Sequence, residues 1–546
     1  MKRLLAMTLA CAAGLAVRAD AGPAPGDEPV IRALKDELAR SMAKLEMRGF
    51  GKPYYLAYSL LDGEAASAHA SFGALTASGL TPVRVVTIDL RVGDYAFDNG
   101  NFADAHRTTI ALPRDDDYDD VRRAVWLGTD DAYKQAVEQL DRKKAVAKQE
   151  AKSGDVVASF SAEPLAHAPD AAPPAGSLEL APLEQLVTKL SGALRGNPDI
   201  YDAAVTATAV RATQTFLSSE GGFAARPYRI VQIDVAAHTQ AADGMPLGDA
   251  LGWLVPTLDQ LPREADMVAR VEALSRELTQ LRAAPILEDY AGPVLFDGVA
   301  AGQIMRVLLA TNLGGTPAPK GDRPGSRESG ESELFGKLGQ RVLPAGVTVI
   351  DDPGLESAST RDGKIALVGA YKIDDEGVAA QRVSLIENGK LVRFLMSRTP
   401  RPGFAHSNGH GRASLDVAVR AMPSNLVVSA AAGLGDPDIR RRAIAVAKDQ
   451  GLPYVMVVDR LVGFTPAVVE RVYLDGHSEL VRGASLGAMP TRELRDIIAV
   501  GARPTAYQYM SSVPVAILAP PLLFRDLDLK KPTTPQPKPP SVTRPR

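Results

Sequence analysis

The chain has 546 residues, of which 45% are hydrophobic and 5% aromatic, and a formal net charge of -3. That length exceeds one ordinary core and fits two domains. Nearly balanced charge gives no basic field for nucleic acid, and the few aromatic residues give no base-stacking surface.

Residues 1–21 read as a secretory signal. Lys2 and Arg3 supply the positive start, Leu4 to Val17 the apolar stretch, and Ala19-Asp20-Ala21 a small-x-small cleavage site. The stretch is too short to span a bilayer comfortably. Cys11, the sole cysteine, lies inside it, so removal of the signal leaves no thiolate for metal binding or catalysis. An exported protein, periplasmic in a bacterium and without an integral membrane segment after processing, is expected. A retained anchor or lipidation at Cys11 is the alternative.

The spacing of Ile31, Leu34, Leu38, Met42 and Leu45 predicts an amphipathic helix over Pro29–Met47. Strands are predicted at Tyr54–Leu61, Val83–Val92 and Thr108–Leu112. Helices follow at Asp119–Leu127 and from a Thr129-Asp130 cap to about Lys152. Composition shifts to Ala, Pro, Ser and Gly over about 153–182, which reads as a flexible insertion. Beyond it come a helix at Leu183–Leu194, strands at Tyr201–Phe216 and Tyr228–Thr239, and a helix within Leu258–Leu281. The break near 283–287 divides the chain into an N-terminal domain, 22–285, and a C-terminal domain, 286–528.

The second domain opens with a strand at Gly292–Phe296 and an apolar segment from Val299 to Thr311, then a mobile loop over about 316–333. Asn388-Gly389 is a two-residue turn joining Val383, Leu385 and Ile386 to a return strand through Leu391, Phe394 and Leu395. Further strands are expected at Val347–Ile350, Leu426–Ala431, Val455–Val458 and Glu470–Tyr473, with helices at Asp436–Lys448 and Thr491–Val500. Six prolines among residues 529–546 predict an extended, disordered tail. Mixed strands, hairpins and helices of these lengths argue for an α+β fold with mixed and antiparallel sheets rather than a doubly wound one.

Few motifs carry chemistry. Gly483-Ala484-Ser485-Leu486-Gly487 has the spacing of a nucleophile elbow, but that fold needs a His after the Ser and the last one here is His477. No phosphate-binding loop or strand-linked dinucleotide fingerprint is present. A catalytic zinc needs three protein ligands and an open position. Among the seven His residues only His406 and His410 are close in sequence, on a Gly-rich loop, and they read either as hydrogen-bonding residues or as metal ligands.

Several segments together resemble the TldD/PmbA family of metallopeptidase-related proteins, once described as modulators of DNA gyrase. In the first half these are Ala68–Gly73, Arg91-Val92-Gly93-Asp94 and the stretch from Tyr118 to Ala145, which look like the family's exported branch. In the second half they are Gly292–Phe296, Lys337–Pro344, the hairpin Gly377–Arg398, Ser407–Arg412 (SNGHGR), Leu480–Gly501 and Ala516–Leu529. The resemblance implies a two-domain scaffold associated with dimers around a peptide-accepting cavity. Hydrolytic members carry His-Glu-x-x-x-His on the helix after the strand matching Pro293–Phe296, plus a distant Cys. Here that helix reads Val299-Ala300-Ala301-Gly302-Gln303-Ile304-Met305-Arg306 and offers none of these ligands.

The expectation is a protein that binds or guides peptides, or partners a peptidase, without the standard zinc site and with no cofactor. It would act as a homo-oligomer or with a TldD-like paralogue. Asn408, His410 and Arg412 are the candidate peptide contacts, with Arg412 pairing a carboxylate and Asn408 backbone amides. SNGHGR could equally be a turn that bonds to itself. The alternative is an active metallopeptidase holding zinc through His406, His410 and an acidic residue such as Asp374 or Asp375.

Overall fold

The computed structural model describes residues 28–103, 107–149, 157–168, 177–321, 332–415, 417–487 and 489–531. The signal segment and residues 532–546 lie outside them, as does the Pro173-Pro174 centre of the predicted insertion.

The first half is a seven-stranded sheet with helices on one face. Its strands are β1 (Pro53–Ser71), β2 (Ala74–Val92), β3 (Thr108–Ala111), β4 (His167–Ala168), β5 (Asp202–Ser218), β6 (Phe223–Gln240) and β7 (Pro246–Val255). They lie in the order β3-β2-β1-β5-β6, and both β7 and the short parallel β4 pair with β6. The strands predicted at Tyr54–Leu61 and Val83–Val92 are the matched ends of one hairpin of two 19-residue strands. Phe72 and Gly73, both at positive φ, turn it.

Alternation along these strands separates two functions. Leu56, Tyr58 and Leu60 of β1, with Val86, Ile88 and Leu90 of β2, pack under α1 (Glu28–Lys44) and α2 (Tyr118–Gln149). Farther along the same face, Ala66 and Ala68 join Ala203, Val205 and Ala207 under α3 (Leu180–Gly192) and α4 (Glu264–Ala283). The other face carries Ser59, Leu61, Thr87, Gln214, Arg226 and Tyr228 toward the second half of the chain.

Sequence reading divided α2 at Gly128-Thr129, and the structure runs it through as one helix. A Cβ at Gly128 would stand 2.9 Å from Ile110 and 3.0 Å from Ile88, so the glycine permits close helix–sheet approach rather than ending the helix. Thr129 caps nothing. Its hydroxyl bonds the Val125 carbonyl (2.7 Å) and the Tyr58 hydroxyl (2.7 Å).

The second half places α5 (Gly298–Leu308) between two sheets. One has six strands in the order Lys390–Leu391, Val383–Glu387, Val347–Asp351, Asn425–Ala430, Pro514–Ala519, Thr505–Met510. The other runs Ser478–Val481, Thr465–Tyr473, Tyr454–Val462, Tyr290–Phe296, Leu522–Lys530, Ser485–Leu486, with Ile497–Val500 also on Leu522–Lys530. Ala301, Ile304, Met305 and Leu308 of α5 complete one core with both. Asp297 starts the helix by accepting the Gly298 N–H (2.7 Å). α6 (Asp436–Asp449) covers the outer face of the second sheet. The architecture is mixed α+β, as the sequence predicted.

Four local expectations change. Thr491–Asp496 is a 3-10 turn and Ile497–Val500 a strand. The hairpin turn holds, with Asn388 and Gly389 at φ +48 and +77, but its return strand is only Lys390–Leu391. Residues 157–168, inside the predicted flexible insertion, are docked: Phe160 is 1% exposed, and Ser161 N–H donates to the Arg398 carbonyl (2.8 Å). Leu529 and Lys530, assigned to the tail, complete the strand Leu522–Lys530, where Leu529 is buried.

The halves are clamped by Arg460, which donates twice to Asp249 through Nε (2.8 and 3.1 Å), once more through Nη2 (2.7 Å), and to Glu277. Gln508 adds a bond to the Leu254 carbonyl (2.9 Å).

Candidate functional site

The acidic loop Asp374-Asp375-Glu376-Gly377 lies buried where the two halves meet. Asp374 shapes it. One carboxylate oxygen accepts the N–H groups of Glu376 (3.0 Å) and Val378 (2.9 Å), and the other accepts that of Gly411 (2.9 Å). Gly377 sits at φ +82, and a Cβ there would stand 2.5 Å from the Phe216 ring, so the turn requires glycine twice over.

Asp375 faces the sheet of the first half. Oδ1 receives Arg226 and Gln214 (3.3 Å), and Oδ2 receives the Ala413 N–H (3.0 Å). Burial alone would push this carboxyl up. Arg226 and Arg412 more than offset it and hold the group below the usual carboxylate range. Gln214 and Arg226 are register partners on β5 and β6, and Arg226 Nε and Nη2 both bond the Gln214 amide oxygen (3.2 and 2.9 Å).

Arg412 is different. It is 6% exposed, its guanidinium lies 4.1 Å from the Tyr371 ring centroid, and its Nε stands 3.7 Å from Asp375 Oδ2, beyond hydrogen-bond reach. Nε and Nη1 have no hydrogen-bond partner. A buried guanidinium with idle donors is costly unless something accepts from it. It borders a cavity of about 320 Å³ also lined by Arg107, Arg226, Tyr228, Asp375 and Ser512. Three guanidinium groups there face one carboxylate, so the cavity favours an anion.

Glu376 turns the opposite way. Its Oε2 accepts the Arg398 N–H (2.6 Å), while Oε1 is buried without a partner. Burial raises Glu376 to about 7 and Asp374 to about 8, the latter further raised by Glu376. Three backbone N–H groups favour ionised Asp374, whereas Glu376 receives one. Both carboxyls are nonetheless held toward the protonated form, chiefly by burial. Arg398, fully buried, is satisfied by Glu220 (2.7 and 2.8 Å) and the Ser161 carbonyl (2.9 and 2.7 Å).

The SNGHGR segment divides between the two readings. Asn408 is consumed by the fold: its side chain accepts from Met396 N (2.7 Å) and donates to the Phe394 carbonyl (2.9 Å). His410 is fully buried, with Nε2 3.0 Å from Asp351 Oδ1 and Nδ1 3.0 Å from both Asn408 oxygens. Neither lines the cavity: Asn408 and His410 are held by Met396, Phe394 and Asp351, and of the three only Arg412 borders the cavity. His406 is exposed and stands 3.4 Å from Glu163. The two histidines thus take different carboxylates, and the structure does not assemble the ligand set His406, His410 and Asp374 or Asp375.

The zinc expected of hydrolytic relatives does not fit α5. Gln303 bonds the Leu461 carbonyl and N–H (2.8 Å each), and Arg306 lies over Tyr509 (4.1 Å to the centroid) and donates to Tyr507 (3.1 Å). These side chains are an amide already satisfied by backbone and a cation. Among the described residues no group of three His, Cys, Asp or Glu is placed to hold a metal.

Residues 290–531 match the family model for the PmbA/TldA metallopeptidase C-terminal domain. Over those residues the chain belongs to the PmbA/TldD family. It is 46% identical over 69 residues to a metalloprotease of Methanothermobacter thermautotrophicus, 13% of each chain. It is 45% identical over 84 residues to a metalloprotease of Methanocaldococcus jannaschii, 15% of this chain and 17% of that one. The matches thus span far less than two thirds of those relatives. The fold is shared with a Thermotoga maritima protein described as a modulator of DNA gyrase (TM-score 0.60, 15% identity, 91% of this chain and 100% of that one). It is shared equally with TldE from Thermococcus kodakarensis (TM-score 0.61, 13% identity, 91% and 100%).

Sequence reasoning missed the cavity-lining residues of the first half: Arg107, Gln214, Arg226 and Tyr228. Alternation in β5 and β6 places Gln214, Arg226 and Tyr228 off the helix-covered face, which was the available signal. Nothing local marks that face as the one meeting the acidic loop.

Proposed function

We propose that this TldD/PmbA member binds peptides in the cavity between its halves and does not use the family's zinc hydrolysis. One observation carries the reading: Arg412, buried and with two donors unused, borders an anion-favouring cavity. A guanidinium fork matches a carboxylate with two parallel bonds. The absence of imidazole, carboxylate and thiolate from α5 supports the non-hydrolytic part, because a zinc-bound water needs such ligands and a general base.

Export follows from the Lys2-Arg3 start, the apolar stretch and Ala19-Asp20-Ala21. Among the described residues no helix is long and apolar enough to cross a membrane. Assembly with a second copy or a TldD-like paralogue belongs to the same reading, and size-exclusion of the mature chain alone and with such a paralogue tests it. The binding claim is tested by fluorescence anisotropy with a labelled peptide acid. Arg412→Ala is expected to abolish capture while the melting temperature moves only a few degrees. Unchanged capture would overturn the reading.

A further inference from the structure

A second cavity, of about 650 Å³, adjoins the first. Its walls are the α2 face bearing Gln135 and Gln139, the β2 residues Ile88 and Leu90, the loop at Phe102, and Val419. Arg107 and Ser512 line both cavities. Arg107 is fixed at this boundary by Nη2 donating to the Ser414 carbonyl (2.6 Å) and Nε to the Val417 carbonyl (3.0 Å). Ser512 is exposed, so the boundary opens to solvent.

The cavities differ in chemistry. The smaller is cationic, with Arg412, Arg226 and Arg107 around Asp375. The larger also carries Arg91 and Arg420, but Arg91 is already paired with Asp98 (3.0 Å) and Asp89 (3.4 Å), and its apolar walls bear amide side chains that can bond a peptide backbone in both directions. An extended chain places successive side chains on alternate sides and its carboxylate only at one end. A peptide acid that fills both spaces can therefore seat its carboxylate on the idle donors of Arg412 and lay its amides and apolar side chains along the larger cavity.

We propose that the two cavities are subsites of one cleft that selects free peptide C-termini. The carboxylate sits on Arg412 in the smaller cavity and the preceding residues cross Arg107 and Ser512 into the larger. This rests on the peptide-binding reading above and adds polarity, terminus selection and length dependence to it. An internal segment without an acidic side chain has no carboxylate for the cationic end and is disfavoured.

The test uses the full chain and N-terminally labelled Ala-Leu and Ala-Leu-Ala-Leu, each as free acid and as C-terminal amide. The tetrapeptide acid is expected to bind at least about tenfold tighter, about 1.4 kcal/mol, than either the dipeptide acid or its own amide. Ser512→Trp, at an exposed position, fills the junction and is expected to remove the tetrapeptide's advantage while dipeptide acid binding persists. Arg412→Lys keeps charge without the fork and is expected to narrow the acid-over-amide preference. Equal binding of acid and amide, insensitive to Arg412→Lys, overturns the peptide-binding reading itself. A retained acid preference with no length dependence, or a length dependence unmoved by Ser512→Trp, overturns the two-subsite cleft alone.

Discussion

Arg91 and Arg398 lie against the same phenyl ring: their Cζ atoms stand 3.8 and 3.9 Å from the centroid of Phe160. Two guanidinium groups at that height cannot share one face, so the ring separates them. Each is neutralised on its far side, Arg91 by Asp98 (3.0 Å) and Arg398 by Glu220 (2.7 Å). Phe160 comes from the segment between α2 and α3, so one side chain ties that segment to both halves of the chain. Phe160→Ala is expected to cost about 3–5 kcal/mol in urea denaturation. A loss below about 0.5 kcal/mol would show that the segment does not dock in solution.

Arg460 gives a second test of the contact between the two halves. Removing it leaves Asp249, fully buried in side chain, without its cation. Arg460→Met alone is expected to lose about 3–5 kcal/mol, whereas Arg460→Met with Asp249→Leu recovers most of it. A double variant no better than the single one would show that the pair contributes geometry rather than charge compensation.

Stability should also depend on pH through Glu376 and Asp374. Unfolded, these carboxyls titrate near 4.5 and 3.8; folded, near 7 and 8. Raised folded values mean that the native state holds a proton that the unfolded chain releases. The contribution is complete below about pH 4 and is lost as pH climbs to about 8. Glu376→Gln, which carries no titrating proton, is expected to flatten that decline, by up to about 1.4 kcal/mol per pH unit for one full proton. Denaturation curves at pH 5.5 and 8 compare the two proteins, and identical slopes would remove Glu376 from the account.

Metal content separates the binding reading from the hydrolytic alternative. Protein purified without chelator is expected to carry substoichiometric transition metal by elemental analysis, and chelator dialysis should leave its melting temperature unchanged. A stoichiometric metal lost together with stability would revive a ligand set outside α5.

Much of the fold was legible because local rules coincide with the tertiary result. Asn388-Gly389 demands a turn with positive φ wherever it falls, and the apolar spacing of Ile31 to Met42 leaves one face to bury. Gly128 misled because a glycine that ends a helix and one that lets a helix touch a sheet are the same residue in sequence. Phe160 misled because its neighbours are Ala, Ser and Pro, and its partners Arg91 and Arg398 lie far away along the chain.

What residue order determined by itself was the family likeness, the alternation of strands and helices, and the chemistry α5 lacks, since a helix without His, Glu or Cys cannot supply those ligands in any fold. Tertiary structure alone decided which of Asn408, His410 and Arg412 borders the cavity. It also decided that Arg107 and Arg226 join Arg412 there. The reason is physical: Asn408 and His410 are taken up by Met396, Phe394 and Asp351 of their own half, whereas Arg107 and Arg226 come from the other half and reach Arg412 only when the two halves close on one acidic loop.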